Sequence, residues 1–126
     1  MVGYSRILLL EDHPITLLTF TLELQEAGFE VLGAGSAPEA LQLLRTATEG
    51  LQAVVIDLEV RGGDGYALGR AALAVNTSMV LVYTAQGPRP EFASMAPRGS
   101  RLLAKPAAPR ALSALLRERL PEDGAP

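Results

Sequence analysis

The 126-residue chain contains no cysteine. Disulfides, a thiolate nucleophile and a thiolate-ligated metal are therefore excluded. Positive charge is not in excess: 11 Lys and Arg face 14 Asp and Glu, for a net charge of −3. That balance argues against a nucleic-acid-binding surface or a membrane-surface role. No apolar run approaches the ~20 residues of a membrane span. The N-terminus lacks the long apolar core of a secretory signal. There is no internal repeat and no linker-like stretch. What is present is an ordinary globular balance of 48% apolar and 20% charged residues, in a length that suits one domain with one core. The expectation is a soluble cytoplasmic domain over residues 1–120, followed by a frayed tail at 121–126.

Short apolar runs at Ile7–Leu10, Val31–Ala34, Ala53–Ile56 and Val80–Tyr83, with a weaker one at Leu102–Ala104, are predicted strands. Their near-continuous apolarity is what a parallel sheet covered on both faces requires. Helical spacing lies between them. Leu17, Phe20, Leu24 and Ala27 repeat along the first helix, and Gly28 can stop it. Ser36 and Glu39 in SAPE form a predicted capping box ahead of Ala40, Leu41, Leu44 and Ala47. A third helix starts near Asp64 and carries Leu68, Ala71, Ala72 and Val75. A last one starts near Pro109 and carries Leu112, Leu115, Leu116 and Leu120. Between them, Gln86–Ser100 holds Pro88, Pro90 and Pro97, so any helix there is expected to be short and poorly anchored. This alternation implies a doubly wound, five-stranded parallel α/β sheet of flavodoxin-like order 2-1-3-4-5, with helices on both faces.

In such sheets ligands bind beyond the carboxyl ends of the strands, and polar residues gather there. The first strand runs into Glu11-Asp12, the third into Asp57, the fourth into Thr84 and the fifth into Lys105. With the first and third strands adjacent, three carboxylates share a small space. At ~5 Å and an effective dielectric of 20, each pair repels by roughly 3 kcal/mol. A divalent cation removes that conflict, and oxygen-only ligands favour Mg²⁺ or Mn²⁺ over zinc. Beside such a cation Asp57 is a competent nucleophile toward a phosphoryl group, with Lys105 and Thr84 placed to stabilise its oxygens.

Taken in order, LLLEDHP, VVIDLEVRGGDGYAL, VYTA and LLAKP resemble the receiver domain of two-component response regulators. The resemblance covers nearly the whole chain. It implies that Asp57 is the phosphoacceptor and that Asp12 binds the metal directly, with Glu11 acting through water. It implies further that the main-chain carbonyl of Glu59 is a metal ligand, that Thr84 is the switch hydroxyl, and that Lys105 binds the phosphoryl group before a cis Lys105–Pro106 peptide. Asp64-Gly65 matches the pair that opens the third helix, and Glu59 and Gln86 match positions that tune phosphoryl lifetime. The implied partner is a sensor histidine kinase or a histidine phosphotransfer protein, with a protein rather than a nucleic acid downstream. The implied role is a switch, not a metabolic enzyme.

Four features depart from the family pattern. Arg61 replaces the usual proline, the stretch from Asp57 to Thr84 is about one helical turn short, and Gln86–Ser100 is proline-rich. Leu102 stands where an aromatic usually couples phosphorylation to the surface, which turns attention to reordering of Gln86–Ser100. Two rival functions follow: a pseudo-receiver that binds partners without productive phosphorylation, and a phosphatase using an aspartyl phosphate. His13 is read as a solvent-facing residue at the pocket rim, and Tyr66, Tyr83 and Phe92 as packing residues.

Overall fold

Ile7 and Leu9 belong to one apolar layer and Leu8 and Leu10 to another, and all four are buried. A strand with that pattern needs cover on both faces. The computed structural model, which describes residues 5–106 and 108–120, supplies it. The chain runs β1 (Arg6–Leu10), α1 (Pro14–Glu26), β2 (Glu30–Ala34), α2 (Ala37–Thr46), β3 (Leu51–Asp57) and α3 (Gly65–Val75). It continues through β4 (Val80–Ala85), α4 (Phe92–Met95), β5 (Arg101–Ala104) and α5 (Pro109–Arg119). The five strands form one parallel sheet in the order β2-β1-β3-β4-β5, as the alternation of elements predicts. The tail expected over 121–126 lies outside the described residues. Among the described residues no helix is long and apolar enough to cross a membrane.

The two layers divide the sheet by side-chain parity. Leu8, Leu10, Val54, Ile56, Leu81 and Tyr83 pack with Ala40 and Leu44 of α2 and with Tyr66, Leu68 and Ala72 of α3. Ile7, Leu9, Ala53, Val55, Val80 and Val82 pack with Phe20 and Leu24 of α1 and with Leu112 and Leu116 of α5. β5 is one of the two edge strands and is mostly exposed, matching its weak apolar signal.

Local chemistry sets the helix ends. After α1, Gly28 takes φ +100°, its N–H donates to the Gln25 carbonyl, and the Phe29 N–H reaches back to Leu24. This closing turn needs a residue free to adopt a left-handed backbone. At α2 the Ser36 hydroxyl accepts the Glu39 N–H at 3.3 Å, as predicted. The return bond differs: the Glu39 carboxylate takes the Gly35 N–H (2.8 Å), one residue upstream of the amide used in a capping box. At α3 the Asp64 carboxylate accepts the Tyr66 N–H (2.9 Å).

α4 is a single turn, as its flanking prolines predict. No residue of α4 is buried, in keeping with the expectation of a poorly anchored segment, and its tie to the core is a single ring. Phe92 is partly buried against the α2/α3 layer, and its ring lies 5.4 Å from that of Tyr83 and 6.2 Å from that of Tyr66. That ring is the large apolar contact α4 makes with the layer beneath it.

Candidate functional site

Leu9, Val55, Val82 and Leu103 all face the α1/α5 layer. Two residues further along each chain segment stand Glu11, Asp57, Thr84 and Lys105. Because strand side chains alternate with period two, all four are directed to the same side of the sheet, where the apolar cover ends. Register keeps these ends level: Leu10 pairs with Ile56, Asp57 pairs with Thr84, and the Lys105 N–H donates to the Ala85 carbonyl at 2.8 Å. Glu11, Asp57 and Lys105 border an open cleft of about 380 Å³, also lined by Asp12, His13, Glu59 and Gln86.

The structure brings Glu11, Asp12 and Asp57 together, with one carboxylate oxygen from each within 4.8 Å of the others. Glu11 and Asp57 are 2% and 3% exposed, whereas Asp12 is open to solvent. The Lys105 ammonium lies 2.8 Å from Asp57 Oδ1, 3.2 Å from Glu59 Oε1 and 3.8 Å from Glu11 Oε1. The Asp57 carboxylate also accepts the Glu59 N–H (2.9 Å), and the Glu11 carboxylate accepts the His13 N–H (3.1 Å). Burial pushes the Lys105 pKa down, but the hydrogen bond and charge of Asp57, joined by Glu59 and Glu11, hold it above the ordinary lysine value. Burial also pushes Glu59 up, and there too it is outweighed. Arg89, the Gln86 N–H and Lys105 hold its carboxyl below the usual range. The Lys105–Pro106 peptide is cis, as the sequence resemblance implies.

Thr84 and Leu102 stand back from the cleft. Thr84 is 2% exposed and packs beside Asp57 rather than forming part of the cleft wall. Leu102 sits on the edge strand opposite Tyr83, 39% exposed and on the face away from the acids. His13 is an exposed N-cap of α1 at the rim. Two residues were not anticipated. The Arg89 guanidinium pairs with Glu59, and Glu91 accepts the Tyr66 hydroxyl (2.8 Å). The available signal was a cation five residues after Thr84 in GPRP, a stretch whose prolines identify it only as a helix breaker.

A family model described as the response regulator receiver domain matches residues 7–117. The chain belongs to the response regulator receiver family. A receiver protein from Sinorhizobium medicae WSM419 is similar over 94% of this chain and 98% of its own, with 31% identity and a TM-score of 0.82. The chemotaxis protein CheY4 of Vibrio cholerae shares the fold at 20% identity, over 94% of this chain and 100% of its own, with a TM-score of 0.81. The receiver domain of the hybrid histidine kinase CckA does so at 22% identity, over 92% and 99%, with a TM-score of 0.77. No curated protein gives a significant match.

Receiver domains bind Mg²⁺ at an acidic pocket, and the donors here fit that ion. They are all hard carboxylate oxygens, and the cleft is open enough to leave room for water. The Glu11 carboxyl is pushed up to about 7, chiefly by burial, with the charge of Asp57 adding to it. The His13 N–H and Lys105 pull it the other way without matching those causes. A carboxyl raised in the folded state holds more protons folded than unfolded. Its contribution is therefore complete below the ordinary value of 4.5 and is lost as pH rises through about 7. At 1.36 kcal/mol per pH unit the loss is on the order of 3 kcal/mol. Metal-free receiver is thus expected to melt lower at about pH 7.5 than at about pH 5, with Mg²⁺ restoring it and Glu11→Gln flattening the dependence. Thermal melts with and without EDTA check this; a Glu11→Gln profile as steep as wild type would refute it.

Proposed function

We propose that this receiver takes a phosphoryl group onto Asp57 from a phosphohistidine and uses it to change partner binding. The observation that carries the reading is the Lys105 ammonium, 2.8 Å from a buried Asp57 that also belongs to an acidic trio. Attack by an Asp57 oxygen forms the O–P bond as the donor P–N bond breaks. The released electron pair stays on the imidazole nitrogen, which takes a proton. Lys105 offsets charge on the phosphoryl oxygens, and Thr84, paired in register with Asp57, supplies a hydroxyl once the group is in place. Glu11, Asp12, Asp57 and the main-chain carbonyl of Glu59 would hold Mg²⁺, with Mn²⁺ as a substitute. The ion would add Lewis-acid neutralisation of the same oxygens. Gln86 and the Glu59 side chain border the cleft where a hydrolytic water would enter, and they set the lifetime of the phosphoryl group.

The donor in this reading is a sensor histidine kinase or histidine phosphotransfer protein, and the receiver itself works in the cytoplasm. The catalysis is confined to the domain's own phosphorylation and hydrolysis. Intact-mass spectrometry after incubation with acetyl phosphate and Mg²⁺ tests it, and one phosphoryl adduct that EDTA prevents is the expected result. The exposed Leu102, with no ring to turn inward, favours the pseudo-receiver as a second reading. No adduct from acetyl phosphate or from a kinase, together with no beryllofluoride binding, would establish that second reading. Turnover of a generic phosphomonoester would instead point to the phosphatase.

A further inference from the structure

The mechanism above gives no task to Arg89, Glu91 or the Tyr66 hydroxyl, which are joined to the cleft through Glu59. The Glu59 carboxylate stands between a cation and a loop, with Oε1 buried and ion-paired but without a hydrogen-bond partner among the described residues. Oε1 lies 3.2 Å from Lys105 Nζ, and Oε2 accepts the Gln86 N–H (3.0 Å) and the Arg89 guanidinium. Arg89 lies 3.9 Å from Glu91 Oε2, and that same oxygen accepts the Tyr66 hydroxyl at 2.8 Å. The Tyr66 ring packs 5.5 Å from Tyr83 and 6.2 Å from Phe92, the first residue of α4. The run is continuous from the floor of the cleft to the short fourth helix.

An ammonium has three N–H donors and no acceptor. Around Lys105 three carboxylates, those of Asp57, Glu59 and Glu11, already stand within 4.0 Å. A phosphoryl group on Asp57 brings three more strong acceptor oxygens and new negative charge. The phosphoryl oxygens then compete for Lys105 with the carboxylates beside it. Asp57 carries the group, and the Glu11 side chain is only 3% exposed. The Glu59 side chain is 31% exposed and is held from outside by a loop.

We infer that the Glu59 carboxylate is a placeholder on Lys105, occupying a phosphoryl-oxygen position until the phosphoryl group displaces it. Arg89 is the positioning residue that carries this displacement into residues 86–96. The inference rests on phosphorylation at Asp57. It gives the chain a polar linkage to the Tyr66–Tyr83–Phe92 cluster where β5 has only Leu102 to offer.

Glu59→Gln keeps the side-chain length and the main-chain carbonyl but removes the charge on Lys105. It is expected to bind beryllofluoride more tightly and to take phosphoryl from acetyl phosphate faster, each by about tenfold. Arg89→Met is expected to remain phosphorylatable. Its NMR shift changes over Glu91–Ala96 on beryllofluoride addition should fall below half of the wild-type values, with Arg89→Lys restoring part of them. A purely structural Arg89 would alter those amides in the free protein and leave their response intact. Equal affinity and rate in Glu59→Gln, with a wild-type adduct present, would overturn the placeholder. An undiminished response in Arg89→Met would overturn the relay. Absence of both adduct and beryllofluoride binding in wild type and in every variant would overturn the phosphorylation reading itself, and this inference with it.

Discussion

Asp57→Asn is expected to yield a folded protein with no detectable phosphoryl adduct under conditions that label the wild type to completion. The amide is nearly isosteric and its carbonyl oxygen can still accept the Glu59 N–H, so the β3 end should survive. It offers no carboxylate to attack phosphorus. Two side effects separate this loss from misfolding. The charge of Asp57 helps raise Glu11, so in the variant Glu11 titrates closer to 4.5 and the pH-dependent loss of metal-free stability shrinks. One carboxylate also leaves the acidic trio, so the Mg²⁺-induced rise in melting temperature should fall. Intact mass, an Mg²⁺ titration and melts across pH read all three. An adduct on Asp57→Asn at wild-type level would move the acceptor elsewhere.

Gly69→Ala is expected to destabilise the fold, against the helix-propensity rule. In the interior of α3 that change would ordinarily gain about 1 kcal/mol. Here a Cβ would stand 1.9 Å from the Tyr83 hydroxyl oxygen, 3.1 Å from its ring carbon and 3.3 Å from a Leu81 methyl. Tyr83 is fully buried, with Phe92 packed at its edge, so the ring has nowhere to retreat. Overpacking of this kind costs about 1–3 kcal/mol, enough to reverse the sign and lower the melting temperature by several degrees. The Tyr83 hydroxyl is buried and has no hydrogen-bond partner among the described residues. Removing it in Tyr83→Phe is expected to be neutral or stabilising. It should also recover most of the Gly69→Ala loss in the double variant, a coupling that a double-mutant cycle measures. A higher melting temperature for Gly69→Ala alone would refute the close approach.

The order of the sheet and the acids at its strand ends were legible because both rest on short-range rules. Apolar runs announce buried strands, and strand ends carry the polar residues of this architecture. Arg89, Glu91 and the hydroxyl of Tyr66 were not legible. Their meeting depends on the path of a proline-rich loop with no period, and an exposed arginine in such a loop has many possible partners. The ring contact between α4 and the core was not legible for a related reason. The prolines report how far a helix can run, but say nothing about one ring, Phe92, reaching an aromatic neighbour on another strand. The Glu39 carboxylate shows the same limit on a small scale, since the N–H it finds is decided by how Gly35 turns.

The shared parity of Glu11, Asp57, Thr84 and Lys105 restricts how such a chain can change over generations. Deleting one residue within β3 would rotate Asp57 toward the α2/α3 layer and bring Val54 and Ile56 out of theirs, so the core and the acceptor would be lost in one event. A lineage that keeps the fold while giving up phosphoryl chemistry therefore cannot arrive there by insertion or deletion inside a strand. Only point replacement at the strand ends is open to it, and length variation is confined to the connections between elements.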